Sequence, residues 1–334
     1  MADTTYTANL LVSRWGRELF REAADMIYFK RFMGKSANNI IQTKHELDGK
    51  EGDDVTFGLL MKLSGSGVSG DGTLEGNEES MVTYSMNVTI DQERNAVRSK
   101  GRLHDRSHFY NFRSNARDLL AIWLAEKIDG DIFDVLKASP TRALGEDSAG
   151  TYRFDGTYKS SLASTDKITT KGFNILEKIT VEPYNSTEVE MRPVKVDGKD
   201  HFVVIISAEA LYDLKQDSTW NQANREARDR GKDNPIFRGS DYVYDNLIIH
   251  SHKNIETFTD GGGDSVRGAL NLCLGAQAGV FAVADRMLWD EKTFDYGNKR
   301  GVAAGQIYGV KKSKYNSEDF ATIIYCTATT QLAA

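Results

Sequence analysis

The chain has 334 residues, 40% of them apolar, which is enough to bury a substantial core in one large or two smaller domains and excludes a disordered chain. Lys and Arg number 42 against 48 Asp and Glu, so the net charge of −6 argues against a nucleic-acid binder held mainly by phosphate neutralisation and leaves room only for local basic faces. The N-terminus MADTTYTANLL lacks the basic and apolar regions of a signal peptide, and the longest strongly apolar run, near 279–284, is too short to span a bilayer; a soluble protein made in a cytoplasm is expected. Cys273 and Cys326 both lie inside apolar segments and read as buried free thiols, so stability must come from packing or assembly.

Residues 13–34, SRWGRELFREAADMIYFKRFMG, predict an amphipathic helix with Trp15, Leu19, Ala23, Met26 and Ile27 on one face, capped by Ser13 and closed by Gly34. Such a helix needs a partner, either the rest of this chain or another subunit. In DVTFGLLMKL, Val55, Phe57, Leu59, Met61 and Leu63 alternate strictly with other residues, and Val82, Tyr84, Met86, Val88 and Ile90 do the same in MVTYSMNVTI. These are two strands of one hairpin. The connection between them, SGSGVSGDGTLEGNEES, has seventeen residues with five glycines, four acids and no Lys or Arg. Because two-residue turns join most hairpins, this connection reads as an extended arm that reaches something, with a solvent loop as the alternative.

Residues 105–138 predict one long helix, with Phe112, Ala116, Leu119, Leu120, Trp123, Leu124, Ile128, Ile132, Val135 and Leu136 on its apolar face. Asp105 is its expected N-cap, Ser139-Pro140 ends it, and Gly130 weakens it by about 1 kcal/mol against Ala. At about 1.5 Å per residue it would span roughly 50 Å, which suits an elongated subunit. Its core positions are expected at Leu119, Leu120, Trp123 and Ile128. Residues 141–168 read as loops and short strands. A short helix at 171–179, a buried strand at 202–206 and a helix in SAEALYDLKQD follow, and NQANREARDRGKD carries mixed charge on a solvated helix face. Strands fit 245–250, 279–284, 306–311 and 320–327, with a helix at 266–276 among them. The mixture is α+β with segregated strands and helices.

Catalytic signals are few. No phosphate-cradling loop, dinucleotide fingerprint, nucleophile elbow or paired zinc ligands of standard spacing occur. His250 and His252 would share one face of a strand but lack an evident third ligand, so they read as surface or interface histidines. Asp260-Gly-Gly-Gly-Asp264 reads as a flexible turn, and the Gly275 to Gly279 spacing as the end of a helix and start of a strand. No catalytic residue, metal or cofactor is expected.

The element order, an N-terminal arm helix, a long acidic-tipped hairpin, a long helix, a mixed central region and closing strands, resembles the Hong Kong 97-like (Johnson) fold of tailed-phage major capsid proteins. The local likeness is to the N4-like phage branch, through GKEGDDVTFGLLMKLSGSGVSGDGTLEGNEES, TIDQERNAVRSKG, FVVIISAEALYDLKQD and DNPIFRG. The resemblance implies an N-arm at 1–50, an E-loop at 51–100, a P-domain at 101–200 that includes the spine helix, an A-domain at 201–300 and closing P-domain strands at 301–334. It implies a shell of hexamers and pentamers of this chain, assembled in a host cytoplasm, that encloses double-stranded DNA without sequence-specific binding and uses a portal, with or without separate scaffolding or decoration proteins. Fewer than sixty residues precede the E-loop, too few for a large fused scaffolding region. The type member's cross-link from a loop lysine to a neighbour's asparagine is not expected, since no Lys lies between Ser64 and Ser80. A cellular compartment shell sharing the fold and a metal-binding hydrolase are the alternatives.

The loop tip carries Asp71, Glu75, Glu78 and Glu79, whereas the N-terminal helix carries Arg14, Arg17, Arg21, Lys30 and Arg31 against Glu18, Glu22 and Asp25. Opposite charge on two protruding elements suggests contact between neighbouring subunits; the alternative is that both sets keep subunits soluble.

Overall fold

A computed structural model of the chain describes residues 19–330 except 20, 46–51, 61, 62, 64, 66, 108–110, 148, 155–157, 183–189, 197, 227–241 and 265. The long helix runs Phe112–Lys137, with Asn111 in extended geometry accepting a hydrogen bond from the Arg113 N–H at 3.1 Å. That cap replaces the expected one at Asp105, which lies inside a separate short helix, Arg102–Ser107. The long helix therefore has 26 residues and spans about 39 Å, shorter than expected. It stops at Ala138 because Ser139 precedes Pro140 and takes a left-handed backbone, φ 42°.

Burial along this helix follows Ala116, Leu120, Ala121, Leu124, Ala125, Ile128, Ile132, Phe133 and Leu136. Leu120 and Ile128 are each 1% exposed, Trp123 is half-buried at the rim, and Leu119 is 60% exposed. Placing Leu119 in the core is thus corrected. At about 100° per residue it projects roughly 150° from the centre of the stripe set by Leu120, Ala121 and Leu124. Small residues at 116, 121 and 125 are what let the neighbouring elements approach on that side.

The helix packs against a five-stranded sheet ordered Met33–Gly34, Ile41–Lys44, Gly279–Phe294, Lys299–Lys312 and Asp91–Arg98. Its centre is one antiparallel hairpin, from Gly279↔Lys312 to Phe294↔Lys299, turned at Asp295, Tyr296 and Gly297, all with positive φ. The expected division between two domains at residue 300 falls inside this hairpin. A nine-stranded sheet has the path Tyr242–Tyr244, Leu247–Ser251, Lys199–Ile206, Val266–Leu274, Thr322–Ala328, Ala143–Glu146 and Tyr152–Arg153. Thr322–Ala328 lies within this sheet, not beside the long hairpin. The helices Thr170–Val181 and Ala208–Leu214 are capped by Thr169 and Ser207 side chains.

Residues 266–276, expected to be helical, form the strand Val266–Leu274, paired on one side with Lys199–Ile206 and on the other with Thr322–Ala328. Every residue from Gly268 to Leu274 is buried, because both sheet faces are covered, so the alternation that marks a strand is absent. The Gly275 to Gly279 stretch consequently joins two strands. Gly261–Asp264 forms a single helical turn. The N-terminal helix, of which residues 13–18 and 20 lie outside the described residues, is helical at 21–26; a 3-10 turn at Tyr28–Phe32 and a short strand at Met33–Gly34 then replace the expected helix end. The break occurs where the Asp129 carboxylate takes the Tyr28 and Phe29 N–H groups, while the tighter turn brings Phe29 and Phe32, both fully buried, to one side.

Candidate functional site

The hairpin of Asp54–Leu60 and Thr83–Thr89 is registered from Asp54↔Thr89 to Leu60↔Thr83. Val55, Phe57, Leu59, Met86 and Val88 are buried while the residues between them face water, so the period-2 pattern turns one face to the core. Its base is fastened at several points. Lys44 Nζ donates to the Thr56 carbonyl at 2.7 Å and sits 4.7 Å from the Phe57 ring centre, and Lys311 Nζ donates to the Asn87 carbonyl at 2.8 Å. Tyr84 meets Tyr315 at 6.3 Å, and Tyr315 meets Phe320 at 5.5 Å.

Beyond the base the arm leaves the core. Leu60, Leu63, Val68, Leu74, Met81 and Val82 are all exposed, between 38% and 72%. Gly67, Gly70 and Gly76 take positive φ with nothing within 4 Å of a Cβ, so the backbone conformation and not crowding calls for glycine there. Glu79 accepts the Gly65 N–H at 2.7 Å and Glu78 the Gly76 N–H at 2.8 Å, which shapes the tip. Asp71 and Glu75 project from it with no hydrogen bond or ion pair among the described residues.

The basic set expected to meet this tip is only partly available. Arg14 and Arg17 lie outside the described residues, and Arg21 is exposed. Lys30 pairs with Asp25, whose carboxyl it holds below the usual range, and the Arg31 guanidinium stacks 4.5 Å over Tyr28 while its Nε donates to the Tyr28 carbonyl. Two of the five cations are therefore engaged within their own segment.

That segment is held to the long helix by Asp129, which is 6% exposed. Its two carboxylate oxygens accept the N–H groups of Tyr28 at 2.8 Å and Phe29 at 3.2 Å. Burial raises the Asp129 carboxyl above its ordinary value, against the pull of these two backbone groups and the more distant Arg31 and Lys253. Tyr28 also meets His252 at 4.2 Å, and His252 stacks on Phe133 at 4.8 Å; His250, 1% exposed, meets Phe32 at 5.4 Å. Burial, followed by Lys253 and Arg31, pushes His252 down to about 4. Of the surface or interface reading of this pair, the surface alternative is corrected: within the chain they are packing partners of the aromatic anchor. Among the described residues no group of three or more His, Cys, Asp or Glu could hold a metal ion, and no helix is long and apolar enough to cross a membrane.

A second charged region, which sequence reasoning passed over, lies at the far end of the long hairpin. Arg94, Arg98, Lys100, Arg102, Lys292 and Arg300 are all exposed there. The signal was present as Arg94 and Arg98 at even spacing in a strand, followed at once by Lys100 and Arg102.

A family model described as phage capsid protein matches residues 3–138 and 139–329. The chain belongs to the phage capsid protein family. It is 31% identical over 365 residues to the major capsid protein of Pseudomonas phage KPP25, with 94% of each chain covered. The capsid of Ralstonia phage GP4 superposes with a TM-score of 0.79 at 30% identity, covering 92% of each chain. The capsid asymmetric unit of cyanophage Pam1 shares the fold at a TM-score of 0.76 and 20% identity, covering 98% of this chain and 94% of that one. The mixed architecture is thus the Hong Kong 97-like capsid fold of a tailed-phage major capsid protein, with Phe112–Lys137 as its spine helix and the 54–89 hairpin as its E-loop.

Proposed function

We propose that this capsid protein acts by self-association, many copies closing into an icosahedral shell around double-stranded DNA, and that it performs no catalysis. The observation that carries this reading is the E-loop, fastened at its base by Lys44, Lys311 and Tyr84 yet exposing six large apolar side chains further out. A single chain gains nothing from that exposure, whereas a neighbouring copy could cover it. In this reading the P-domain is the spine helix with the sheet of Asp91–Arg98, Gly279–Phe294 and Lys299–Lys312, and the A-domain is the nine-stranded sheet with its helices. The net charge of −6 suits a container that encloses DNA without gripping it. A portal, with or without separate scaffolding or decoration proteins, would complete the particle.

The test replaces residues 66–79 by a tight turn. The shortened chain should keep the circular dichroism spectrum and melting behaviour of the full chain but form no shells by electron microscopy, under conditions where the full chain forms them. A full chain that stays monomeric across salt, crowding and scaffold conditions would refute self-assembly. A shortened chain that assembles as well would refute the role of the loop.

A further inference from the structure

Where the end of the spine helix, the end of the long hairpin and the start of Thr322–Ala328 meet, a lysine and an aspartate are buried against each other. The chain leaves the hairpin at Lys312 and reverses at Asn316 and Ser317, both with positive φ. It returns so that Lys314 pairs with Asp319 and the Phe320 N–H reaches the Ser313 carbonyl. This brings Lys312 Nζ to 2.9 Å from Asp319 Oδ2, with the two side chains 4% and 0% exposed. Tyr315, Phe320 and Ala321, their neighbours in sequence, are buried as well. A charge pair in such a place needs its donors and acceptors matched to offset the lost hydration. This pair is not matched. Lys312 Nζ has two acceptors for three protons, Asp319 Oδ2 and the Ala138 carbonyl, the latter at 2.7 Å. Asp319 Oδ2 also accepts the Thr141 N–H at 2.9 Å, whereas Oδ1 is buried and accepts no hydrogen bond, with Lys314 Nζ 3.7 Å away.

The groups around the pair match an amide better than two ions. An amide joining the side chains keeps one N–H, which the Ala138 carbonyl can accept, and one C=O, to which the Thr141 N–H can donate. Oδ1, the atom without a hydrogen bond, is the one that condensation removes. We propose that Lys312 and Asp319 condense into an amide bond within the chain, releasing water. The Lys312 Nζ to Asp319 Cγ bond forms and the Cγ to Oδ1 bond breaks. The ammonium gives up two protons and Oδ1 leaves with both, so charge and atoms balance and no other reactant is consumed. Lys314 is placed to pass a proton to Oδ1 and to recover one from the attacking nitrogen. Burial lowers the Lys312 pKa, against the opposing pull of Asp319, which favours the neutral amine that attacks. Reacting groups held in contact behave as if at about 10⁵ to 10⁸ M, and the dry surroundings let the released water escape to solvent without a competing nucleophile. The bond would staple the end of the five-stranded sheet to the start of a central strand of the nine-stranded one, beside the end of the spine helix. It lies within one chain and uses no residue of the E-loop.

Mass spectrometry of the full-length chain tests the proposal, after the folded protein has been held at neutral pH and then denatured. The intact mass should lie about 18 Da below the value the sequence requires. Trypsin should leave the chain uncut after Lys312 and yield a branched peptide that carries both Lys312 and Asp319. Asp319→Asn should instead lose about 17 Da, because ammonia leaves in place of water. Lys312→Arg and Asp319→Ala should keep their full sequence masses. A folded, unaltered chain at its full sequence mass, cut after Lys312, overturns the proposal, and this arm needs no variant to fold. So does a loss of the same size that persists in Lys312→Arg, which would place the dehydration at another residue.

Discussion

Replacing Asp129 by Ala should free the N-terminal segment from the spine helix. The carboxylate is 6% exposed and its two oxygens take the Tyr28 and Phe29 N–H groups, so the change strands two backbone donors, one of them at a residue with 0% exposure. Hydrogen bonds to a charged acceptor contribute about 1.5 to 3 kcal/mol each. Against this stands the recovered cost of burying the carboxylate, visible in its raised pKa. The net loss should be about 2 to 4 kcal/mol, an amount that one well-buried large-to-small substitution would cost. Asp129→Asn should lose about half as much, because it keeps one oxygen and turns an amide toward the other donor. The assay is chemical denaturation of the unassembled chain, paired with hydrogen exchange of residues 21–32. If Asp129→Ala leaves both the midpoint and the protection of that segment unchanged, the carboxylate does not hold the segment and the reasoning fails.

Leu120→Ala should cost about 2 to 5 kcal/mol and Leu119→Ala less than about 0.5, since the first is 1% and the second 60% exposed; equal losses by urea denaturation would refute the face assigned here. Gly130→Ala should raise stability by about 0.5 to 1 kcal/mol, because a Cβ there meets nothing within 4 Å and the helix loses its most flexible interior residue; a lower melting temperature would show hidden crowding. His252, held near pKa 4 against an ordinary 6.5, is neutral in the folded chain over a range where the unfolded chain takes up a proton. Its contribution is full above pH 6.5 and falls by about 2 to 3 kcal/mol as the pH drops toward 4, while Asp129, shifted up, acts in the opposite sense. His252→Phe should flatten the melting temperature profile between pH 6.5 and 4.5; an unchanged slope would place the acid sensitivity elsewhere.

What was legible in the chain was what depends on local periodicity with one wet face. The 54–60 and 83–89 strands alternate because water lies on one side of them, and the apolar run from Ala116 to Leu136 recurs at helical spacing for the same reason. The loop tip shows its acids and glycines because, among the described residues, nothing in its own chain covers it. Element order then carried the fold resemblance. Periodicity stopped being informative where both faces are dry: Gly268–Leu274 is buried throughout, and without alternation a strand reads as a helix. Leu119 and Leu120 are adjacent leucines that no local property separates; only the direction from which the sheet packs makes one core and the other surface. The same holds for Asp129, an ordinary helix acid in sequence, whose role depends on Tyr28 and Phe29 a hundred residues earlier. Likewise, the division expected at residue 300 cuts a hairpin, because strand pairing between Gly279–Phe294 and Lys299–Lys312 is decided by hydrogen-bond partners and not by composition. Sequence by itself determined which segments are regular and which are exposed; tertiary structure alone decided which face of each segment is covered and which distant groups share a charge, since both depend on the neighbours that close around them.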